Sequence, residues 1–263
     1  MSDVTAEELM AITASRLLDD HKVVFAGVGM PLLASAVARR TRAPHLTIVL
    51  EGGIIGTMLL PGKLPISTNE MRAAYGAQML TDITDIFLYA QRGYFDYGFL
   101  GAAQVDMYGN INTSVIGSMQ RPRVRLPGSG GANDIISLCN EVLIVTQHEP
   151  RRFVERVDFV TSPGYLSGGD SRTRAGLVAG RLGPVVTDLA LLDFEPASHR
   201  MRLRALQPGV TEAQVRAQTG FDLLMAEDVT ELAPPTPEEV AIYRELRDGP
   251  VPVSMVAVPV ETP

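Results

Sequence analysis

The sequence is poor in the residues that form disulfides and metal centres. It contains one cysteine, Cys139, and four histidines, and the histidines are scattered without the spacing of metal ligands. A single cysteine cannot form an internal disulfide, and the same count excludes a Cys-rich zinc site. We therefore expect no metal in the functional site, and we interpret Cys139 as a small core residue.

Long apolar runs and excess positive charge are also missing. No stretch of about 18 consecutive apolar residues is present, so no membrane span is expected. The formal net charge is −7, which argues against a general affinity for nucleic acid or anionic membranes. The first residues are acidic and lack the basic-then-apolar order of a signal peptide, so the expected location is cytoplasmic.

The residues that are present describe an ordinary globular protein. Hydrophobic residues make up 46% of the 263 positions and charged residues 20%, a balance that can fill a core. No internal repeat and no linker divides the chain. The sequence therefore predicts one domain over residues 1–250, followed by a Pro-rich tail at 251–263 that is extended or disordered.

Three early segments alternate between strand and helix patterns. Residues 22–27 form a short apolar strand pattern, 31–40 begin with proline and follow a helical pattern, and 46–51 are rich in β-branched residues. A strand, a helix and a second strand within about 30 residues form a βαβ unit, which implies a parallel sheet. The predicted fold is a single open α/β domain with a mostly parallel central sheet flanked by helices.

Later segments continue this alternation of helices and strands. Helical patterns are predicted over residues 69–80 and 82–92, and a polar surface loop over 167–180. Single strands are predicted at 95–105 and at 185–194. The other predicted helices begin at residues 5, 135, 211 and 236, and the other predicted strands cover 111–116, 141–146 and 201–206.

The strongest candidate for chemistry lies at the end of the 46–51 strand. Glu51 ends this buried strand and is followed at once by Gly52 and Gly53. The exit of a buried strand lies at the rim of a sheet, where α/β proteins place their sites. Two glycines leave space for a ligand beside the backbone. The alternative is a structural glutamate that caps a turn, and this stretch alone does not decide between the two.

Two Gly-rich segments are candidate ligand loops. Gly27-Val-Gly29 lacks the third glycine of a dinucleotide fingerprint, so an NAD site is disfavoured. The loop at 127–134 precedes a helix and presents backbone N–H groups that can hold a phosphate, a carboxylate or an oxyanion. It is not a Walker loop, and Ser129 lacks the Gly-x-Ser-x-Gly setting of a nucleophile elbow.

Four other polar residues have both functional and structural interpretations. His148 follows a predicted strand and could act as an acid or base, although a structural role is favoured at a strand end. Arg72, Arg152 and Arg172 could clamp a substrate carboxylate. A solvated surface position is the favoured interpretation for each arginine.

Several segments together resemble the β subunits of class I CoA-transferases. Within that family the chain is most similar to the glutaconate CoA-transferase group, and the matching segments appear in the family's order over roughly residues 5 to 245. They are Glu51-Gly-Gly, Gly101-Ala-Ala-Gln-Val-Asp-x-Tyr-Gly-Asn-Ile-Asn112, Gly128-Ser-Gly-Gly-Ala-Asn133, Gln147-His-Glu-x-Arg-Arg-Phe153, Val160-Thr-Ser-Pro-Gly164 and Thr219-Gly-Phe-Asp-Leu223.

The resemblance implies that Glu51 is a nucleophile that carries CoA as a glutamyl thioester. The family usually has Ser or Asn after this Glu, so Gly52 departs from the pattern. Related chains that act as a decarboxylase or a ring-opening hydrolase lack the Glu, so its retention favours transfer. The candidate oxyanion donors are the backbone N–H groups of Gly130, Gly131 and Ala132, and the candidate substrate-positioning residues are Gly52, Gly53, Gln104 and Asn110.

The resemblance also implies a partner and a substrate. Family members pair an α with a β subunit and place the site between them, so this chain would work in a heteromer. The substrates would be an acyl-CoA and a carboxylic acid, with a dicarboxylate as one option, and no metal or redox cofactor is expected. The alternatives are an acyl-CoA hydrolase or decarboxylase on the same scaffold, and a non-catalytic CoA-binding subunit.

Overall fold

A computed structural model describes residues 4–250 and shows a ten-stranded sheet covered by helices. The predicted tail at 251–263 lies outside the described residues. The strands are β1 Val23–Phe25, β2 Thr47–Leu50, β3 Ile54–Ile55, β4 Met79–Leu80, β5 Tyr97–Leu100, β6 Gln104–Val105, β7 Ile111–Asn112, β8 Val115–Gly117, β9 Pro122–Arg125, β10 Glu141–Val145, β11 Arg181–Val186, β12 Ala190–Phe194, β13 Met201–Leu206 and β14 Leu224–Glu231. The helices are α1 Ala6–Ser15, α2 Met30–Thr41, α3 Ile83–Gln91, α4 Ala132–Leu138, α5 Ser171–Arg174, α6 Glu212–Ala217 and α7 Pro237–Asp248, and a 3₁₀ turn covers Met71–Ala74.

The large sheet has the order β14-β13-β12-β11-β10-β5-β1-β2-β3-β4. Its five central strands, from β11 to β2, run parallel to one another, and antiparallel strands extend the sheet at both sides. The predicted open α/β domain with a mostly parallel central sheet is therefore confirmed. Two small hairpin sheets, β6–β7 and β8–β9, lie outside the large sheet.

The alternation of side chains along β2 divides the core into two layers. Ile48 and Leu50 face the layer formed with α1, α2 and α7, whereas Val49 faces the layer that contains α3 and α4. Successive residues of a strand point to opposite faces, so a strand covered on both sides is apolar throughout. Among the described residues, no helix has the length and apolar character needed to cross a membrane.

The predicted helix over residues 69–80 is wrong. The structure has only the 3₁₀ turn Met71–Ala74 here, and then β4, which pairs antiparallel with β3. Gly76 adopts a φ of +63°, a left-handed conformation that ends helical turns. The pairing of β4 with β3 overrides the helical pattern, because sheet contacts distant in sequence outweigh local propensity.

Three predicted strands are each divided in the structure, and one of them, residues 111–116, gives β7 and β8. Residues 95–105 give β5 and β6, and residues 185–194 contain the end of β11, a turn and β12. The turn is stabilised by the Thr187 hydroxyl, which accepts hydrogen bonds from the N–H groups of Leu189 at 3.2 Å and Ala190 at 2.8 Å. Local bonds of this kind compete with strand continuation. Strand β14 was not predicted from the sequence.

The predicted surface loop over residues 167–180 contains a buried cation. Arg172, in α5, is only 4% exposed, so its predicted surface position is wrong. Its guanidinium donates hydrogen bonds to four main-chain carbonyls, those of Pro163, Gly164, Ile136 and Ala179. The side chain therefore fastens the 163–179 segment to α4, the helix that follows the Gly-rich loop.

Replacing Arg172 tests this structural role. We expect Arg172→Ala to lower the free energy of unfolding by about 3 kcal/mol, because buried carbonyls lose their donors. The neighbouring Arg174 forms an exposed ion pair with Asp170, so Arg174→Ala is a matched control with an expected loss below about 0.5 kcal/mol. Equal losses in urea unfolding of the two variants would contradict the proposed role of Arg172.

Candidate active site

A cavity of about 560 Å³ opens at the carboxyl end of the central parallel strands. Its wall includes residues that follow or end β1, β2, β5 and β10, because parallel strands deliver their carboxyl ends to one edge of the sheet. The strand-end residues in the wall are Ala26, Gly27, Glu51, Leu100, Gly101 and Val145. The Gly-rich loop at 128–132 completes another side of the same cavity.

Glu51 is the one carboxylate in the lining of this cavity. It is partly buried, and within residues 4–250 its carboxylate has no hydrogen-bond donor and no cation as partner. The turn after β2 is instead held by a main-chain bond from the Gly53 N–H to the Leu50 carbonyl, 3.1 Å long. The interpretation of Glu51 as a turn cap therefore has no contact to support it.

The surroundings of Glu51 favour its protonated form. Burial raises the pKa of its carboxyl group above the usual 4.5, and the negative charge of Asp134 raises this pKa further. Glu8 has the opposite setting, because its hydrogen bonds to Arg244 and Thr5 lower its pKa to about 2. A partly desolvated carboxylate without a hydrogen-bond donor or cation beside it is more reactive than an ordinary surface carboxylate.

The Gly-rich loop turns its backbone towards the cavity. Gly128 and Gly130 adopt φ values of +99° and +49°, which favour glycine because a Cβ would be strained there. The N–H groups of Gly130 and Gly131 have no acceptor in the described part of the chain. The Ala132 N–H donates to the Ser129 carbonyl at 3.0 Å. Two of the three predicted oxyanion donors are therefore unoccupied, and the third is used within the loop.

Gly131 brings this loop into direct proximity with Glu51. A Cβ added to Gly131 would lie 3.1 Å from Glu51 Oε1 and 2.7 Å from Phe87 Cζ. Contacts this short require a neighbour to move, so only glycine allows the observed packing. Phe87 is carried by α3 and also packs against Phe25 at the end of β1, with 5.8 Å between ring centroids. The aromatic pair thus packs against the loop at Gly131.

The two glycines after Glu51 pack closely against other segments of the chain. A Cβ on Gly52 would lie 2.3 Å from Asn69 Oδ1, and one on Gly53 would lie 2.1 Å from the Thr81 carbonyl oxygen. Gly53 also has a φ of +95°. Neither glycine lines the cavity, whereas Thr68, which packs beside Gly52, does. The open space predicted for a ligand at these glycines is occupied by the 68–69 and 81–82 segments.

Gln104 and Asn110 are not in the wall of the Glu51 cavity. The Gln104 side chain bonds Asn112 at 2.7 Å and Asp158 at 3.0 and 3.2 Å. The Asn110 side chain donates to Asp106, while its carbonyl accepts from the Gly164 N–H at 2.9 Å. Both side chains are buried and hydrogen-bonded within the fold, and the structure does not bring them together with Glu51.

His148 and two predicted arginine clamps also have structural partners. The His148 ring lies between the hydroxyls of Thr187 and Thr219, at 3.1 and 2.9 Å, and burial lowers its pKa to about 4. Arg72 is exposed and pairs with Glu70. Arg152 is only partly exposed and donates to the Ala102 carbonyl at 2.8 Å. The structural interpretation of His148 and the surface interpretation of Arg72 agree with the structure.

Within residues 4–250 there is one group of potential metal ligands, which the sequence spacing did not reveal. Asp20, His21 and His45 lie together and are accessible to solvent. They precede β1 and β2, which places them at the opposite edge of the sheet from Glu51. The Asp20 carboxylate lies 2.9 Å from His45 Nδ1 and 3.5 Å from His21 Nε2. These contacts, and the stacking of the two imidazole rings at 4.4 Å, account for the grouping as a surface cluster.

Comparison with known proteins gives independent evidence of the family to which this chain belongs. Residues 7–218 match the family described as Coenzyme A transferase. The chain is 41% identical over 247 residues to the B subunit of 3-oxoadipate CoA-transferase from Pseudomonas knackmussii, covering 94% of each protein. It is 36% identical to the B subunit of glutaconate CoA-transferase from Acidaminococcus fermentans, covering 93% of this chain and 92% of the relative.

A solved structure supports the same assignment. The crystal structure of glutaconate coenzyme A-transferase from Acidaminococcus fermentans superposes with a TM-score of 0.87 at 32% sequence identity. The match covers 95% of this chain and 99% of the chain in that crystal structure. The family match, the two relatives and the shared architecture agree, and the chain belongs to the coenzyme A transferase family.

Proposed function

We propose that this chain is the nucleophile-bearing β subunit of a CoA-transferase and that Glu51 carries CoA during turnover. One observation carries the proposal. Glu51 lies in a cavity at the carboxyl end of the sheet, and its carboxylate has no partner in the described structure. A carboxylate that only stabilised the fold would have a donor or a cation beside it, as Glu8 has.

The first half of the reaction forms the enzyme thioester. A Glu51 carboxylate oxygen attacks the carbonyl carbon of the donor acyl-CoA, the C–S bond breaks, and CoA leaves as a thiolate. The product on the enzyme is a mixed anhydride of the acyl group and Glu51. The thiolate then attacks the glutamyl carbonyl of this anhydride and releases the donor acid as a carboxylate. Covalent catalysis of this kind divides one difficult transfer into two easier steps.

The second half repeats these steps in reverse with a different acid. The acceptor carboxylate attacks the glutamyl-CoA thioester, CoA thiolate leaves, and an anhydride of the acceptor and Glu51 forms. The thiolate attacks the acceptor carbonyl, giving the new acyl-CoA and restoring the Glu51 carboxylate. The kinetics are therefore ping-pong, and the reaction has no net consumption of water.

Each attack produces a tetrahedral oxyanion that needs hydrogen-bond donors. The unoccupied N–H groups of Gly130 and Gly131 are the proposed donors, since both residues line the Glu51 cavity and Gly131 lies beside the carboxylate. Ala132 contributes to the shape of the loop through its bond to Ser129. Loss of one such donor typically costs about 2.7–4 kcal/mol of transition-state stabilisation.

A second subunit is the proposed partner. Both relatives are B subunits by name, and the surface next to the Glu51 cavity has the character of a protein interface. Ile66, Met71 and Leu80 are 86%, 78% and 60% exposed, an unusual density of apolar surface beside an edge strand. Thr68, in the same segment, lines the cavity. An α subunit docked on this surface would close the open side of the site.

The proposed acid is a dicarboxylate, because 3-oxoadipate and glutaconate appear in the names of the two relatives. The Glu51 cavity itself is mainly apolar and its lining contains no Arg or Lys. This lining suits the carbon chain of an acyl group, so a second carboxylate would be bound outside it or by the partner subunit. Hydrolysis and decarboxylation are distinguished from transfer by their independence of an added acceptor acid.

The neutral isostere of Glu51 tests the proposal. In the complex with its α subunit, Glu51→Gln should lower CoA transfer by roughly 10⁴-fold or more, because the nucleophile is lost. The wild-type chain alone should be inactive. Glu227→Gln, on the exposed face of β14, is the matched control and should keep the wild-type rate. Full turnover by the Glu51→Gln complex would mean that the chain is not the covalent subunit.

Gly131 should not tolerate a side chain, because its packing leaves no space for a Cβ. Gly131→Ala places a methyl group against Glu51 and Phe87, so we expect kcat to fall by roughly 10²-fold as the carboxylate is displaced. Circular dichroism and thermal unfolding will show whether the variant complex is folded. A folded variant with an unchanged kcat would contradict the contact between Gly131 and Glu51.

The acid limb of the pH profile should reflect the raised pKa of Glu51. Only the carboxylate form is a nucleophile, so activity should decline as the pH falls through a pKa above the ordinary 4.5. Asp134→Asn removes a neighbouring negative charge and should move the acid limb of kcat/KM for acyl-CoA to lower pH. Glu231→Gln, at the opposite side of the sheet, should leave the limb in place. A shift of the Asp134→Asn limb to higher pH would refute this electrostatic account.

A further inference from the structure

A second cavity, of about 450 Å³, adjoins the Glu51 cavity and contains three arginines. Arg123, Arg151 and Arg152 line it, together with Gln104 and with Ala103, which is also part of the wall of the Glu51 cavity. Three guanidinium groups around one concavity are unusual in a chain whose net charge is −7. We propose that this arginine cavity binds the phosphate groups of CoA.

The three arginines differ in how firmly the fold holds them. Arg152 is fixed, because it donates to the Ala102 carbonyl at 2.8 Å, while its buried Nε has no hydrogen-bond acceptor and lies 3.6 Å from Glu149. Arg151 is exposed and pairs with the same Glu149. Arg123, on β9, has no hydrogen bond or ion pair from its side chain to any described residue. The cavity thus has one fixed and two adjustable cations. Two nearby carboxylates are already bonded: Glu149 pairs with Arg151, and Asp158 accepts from the Gln104 side chain and the Gly117 N–H.

The chemistry of these groups matches a phosphate ligand. Arginine presents several N–H donors in a plane and binds phosphate oxygens with charge-assisted bonds. CoA carries its phosphates at the end of the pantetheine arm, away from the thioester. The apolar lining beside Glu51 and the cationic lining beyond Ala103 therefore correspond to the two ends of an acyl-CoA molecule.

The position of the cavity relative to Glu51 supports the same assignment. Ala102 and Ala103 follow β5, whose carboxyl end faces the Glu51 cavity, and the Arg152 side chain is bonded to this segment. The β8–β9 hairpin contributes Ile116 and Arg123 to the arginine cavity, while neighbouring Leu126 and Pro127 line the Glu51 cavity. One continuous surface therefore leads from the nucleophile to the arginines.

A remote carboxylate of a dicarboxylic acid is the other anion that these arginines could bind. CoA phosphate is favoured because the arginines lie outside the cavity that contains Glu51, and because the bulk of an adenosine diphosphate requires an open cavity of this size. The inference rests on the proposed CoA-transferase function. The phosphate site can be disproved without disproving that function, because Glu51 can carry CoA whichever residues bind the phosphates.

The test uses the complex with the α subunit and two thioester substrates, acyl-CoA and the corresponding acyl-pantetheine, which has no phosphates. Arg123→Gln and Arg151→Gln should each raise the KM for acyl-CoA by roughly 10-fold with little change in kcat. The KM for acyl-pantetheine should be unchanged. Arg121→Gln, on the same hairpin but outside the lining, is the matched control and should behave as wild type with both substrates.

Binding measurements without turnover distinguish CoA phosphate from a dicarboxylic acid as the bound anion. By calorimetry, CoA should bind the Arg123→Gln complex more weakly than the wild-type complex, with a smaller difference for 3′-dephospho-CoA and none for pantetheine. An unchanged KM for acyl-CoA in both variants would overturn the inference. So would an equal rise in KM for acyl-pantetheine, or an effect confined to the KM of dicarboxylic acids, which would assign the arginines to the acid.

Discussion

Within residues 4–250 the Glu51 carboxylate has no hydrogen-bond donor or cation as a partner, and the surrounding site must hold it in this unpaired state. Other buried charges in this part of the chain are compensated: Glu8 pairs with Arg244, and Arg172 donates to four carbonyls. An unpaired and partly desolvated carboxylate costs free energy, which the surrounding fold must supply. The parallel sheet fixes the backbone of Glu51. Gly131, which precedes α4, lies against the Glu51 side chain, and Phe87 of α3 packs beside Gly131. The fold thus stabilises a reactive group instead of neutralising it.

The same arrangement explains why glycine recurs around the site. Gly131 allows the oxyanion loop to approach Glu51, while Gly52 and Gly53 allow the 68–69 and 81–82 segments to approach the turn after β2. The family resemblance predicts a polar side chain at Gly52, and here Asn69 Oδ1 lies 2.3 Å from the point where a Cβ of residue 52 would stand. A side chain at residue 52 would therefore require Asn69 to move.

The sequence predicted the βαβ unit, the parallel sheet and the location of Glu51, because strand patterns and a carboxylate at a strand end are local features. It predicted the Gly-rich loop for the same reason. It did not predict that Gly76 and strand pairing would replace the 69–80 helix, or that Arg172 would be buried. Phe87, Asp134 and Thr68 were also missed, since their proximity to Glu51 arises from packing between distant segments and has no signal in spacing.

The proposed function depends on a covalent bond between Glu51 and CoA. The most direct measurement incubates the complex with acyl-CoA without acceptor acid, reduces part of the sample with borohydride, and maps the peptides by mass spectrometry. We expect a CoA adduct on the peptide that contains Glu51. In the reduced sample the thioester should be converted to the corresponding alcohol, and in the Glu51→Gln complex the adduct should be absent. If the Glu51 peptide is unmodified in a sample that turns over when acceptor acid is added, covalent catalysis by Glu51 is contradicted.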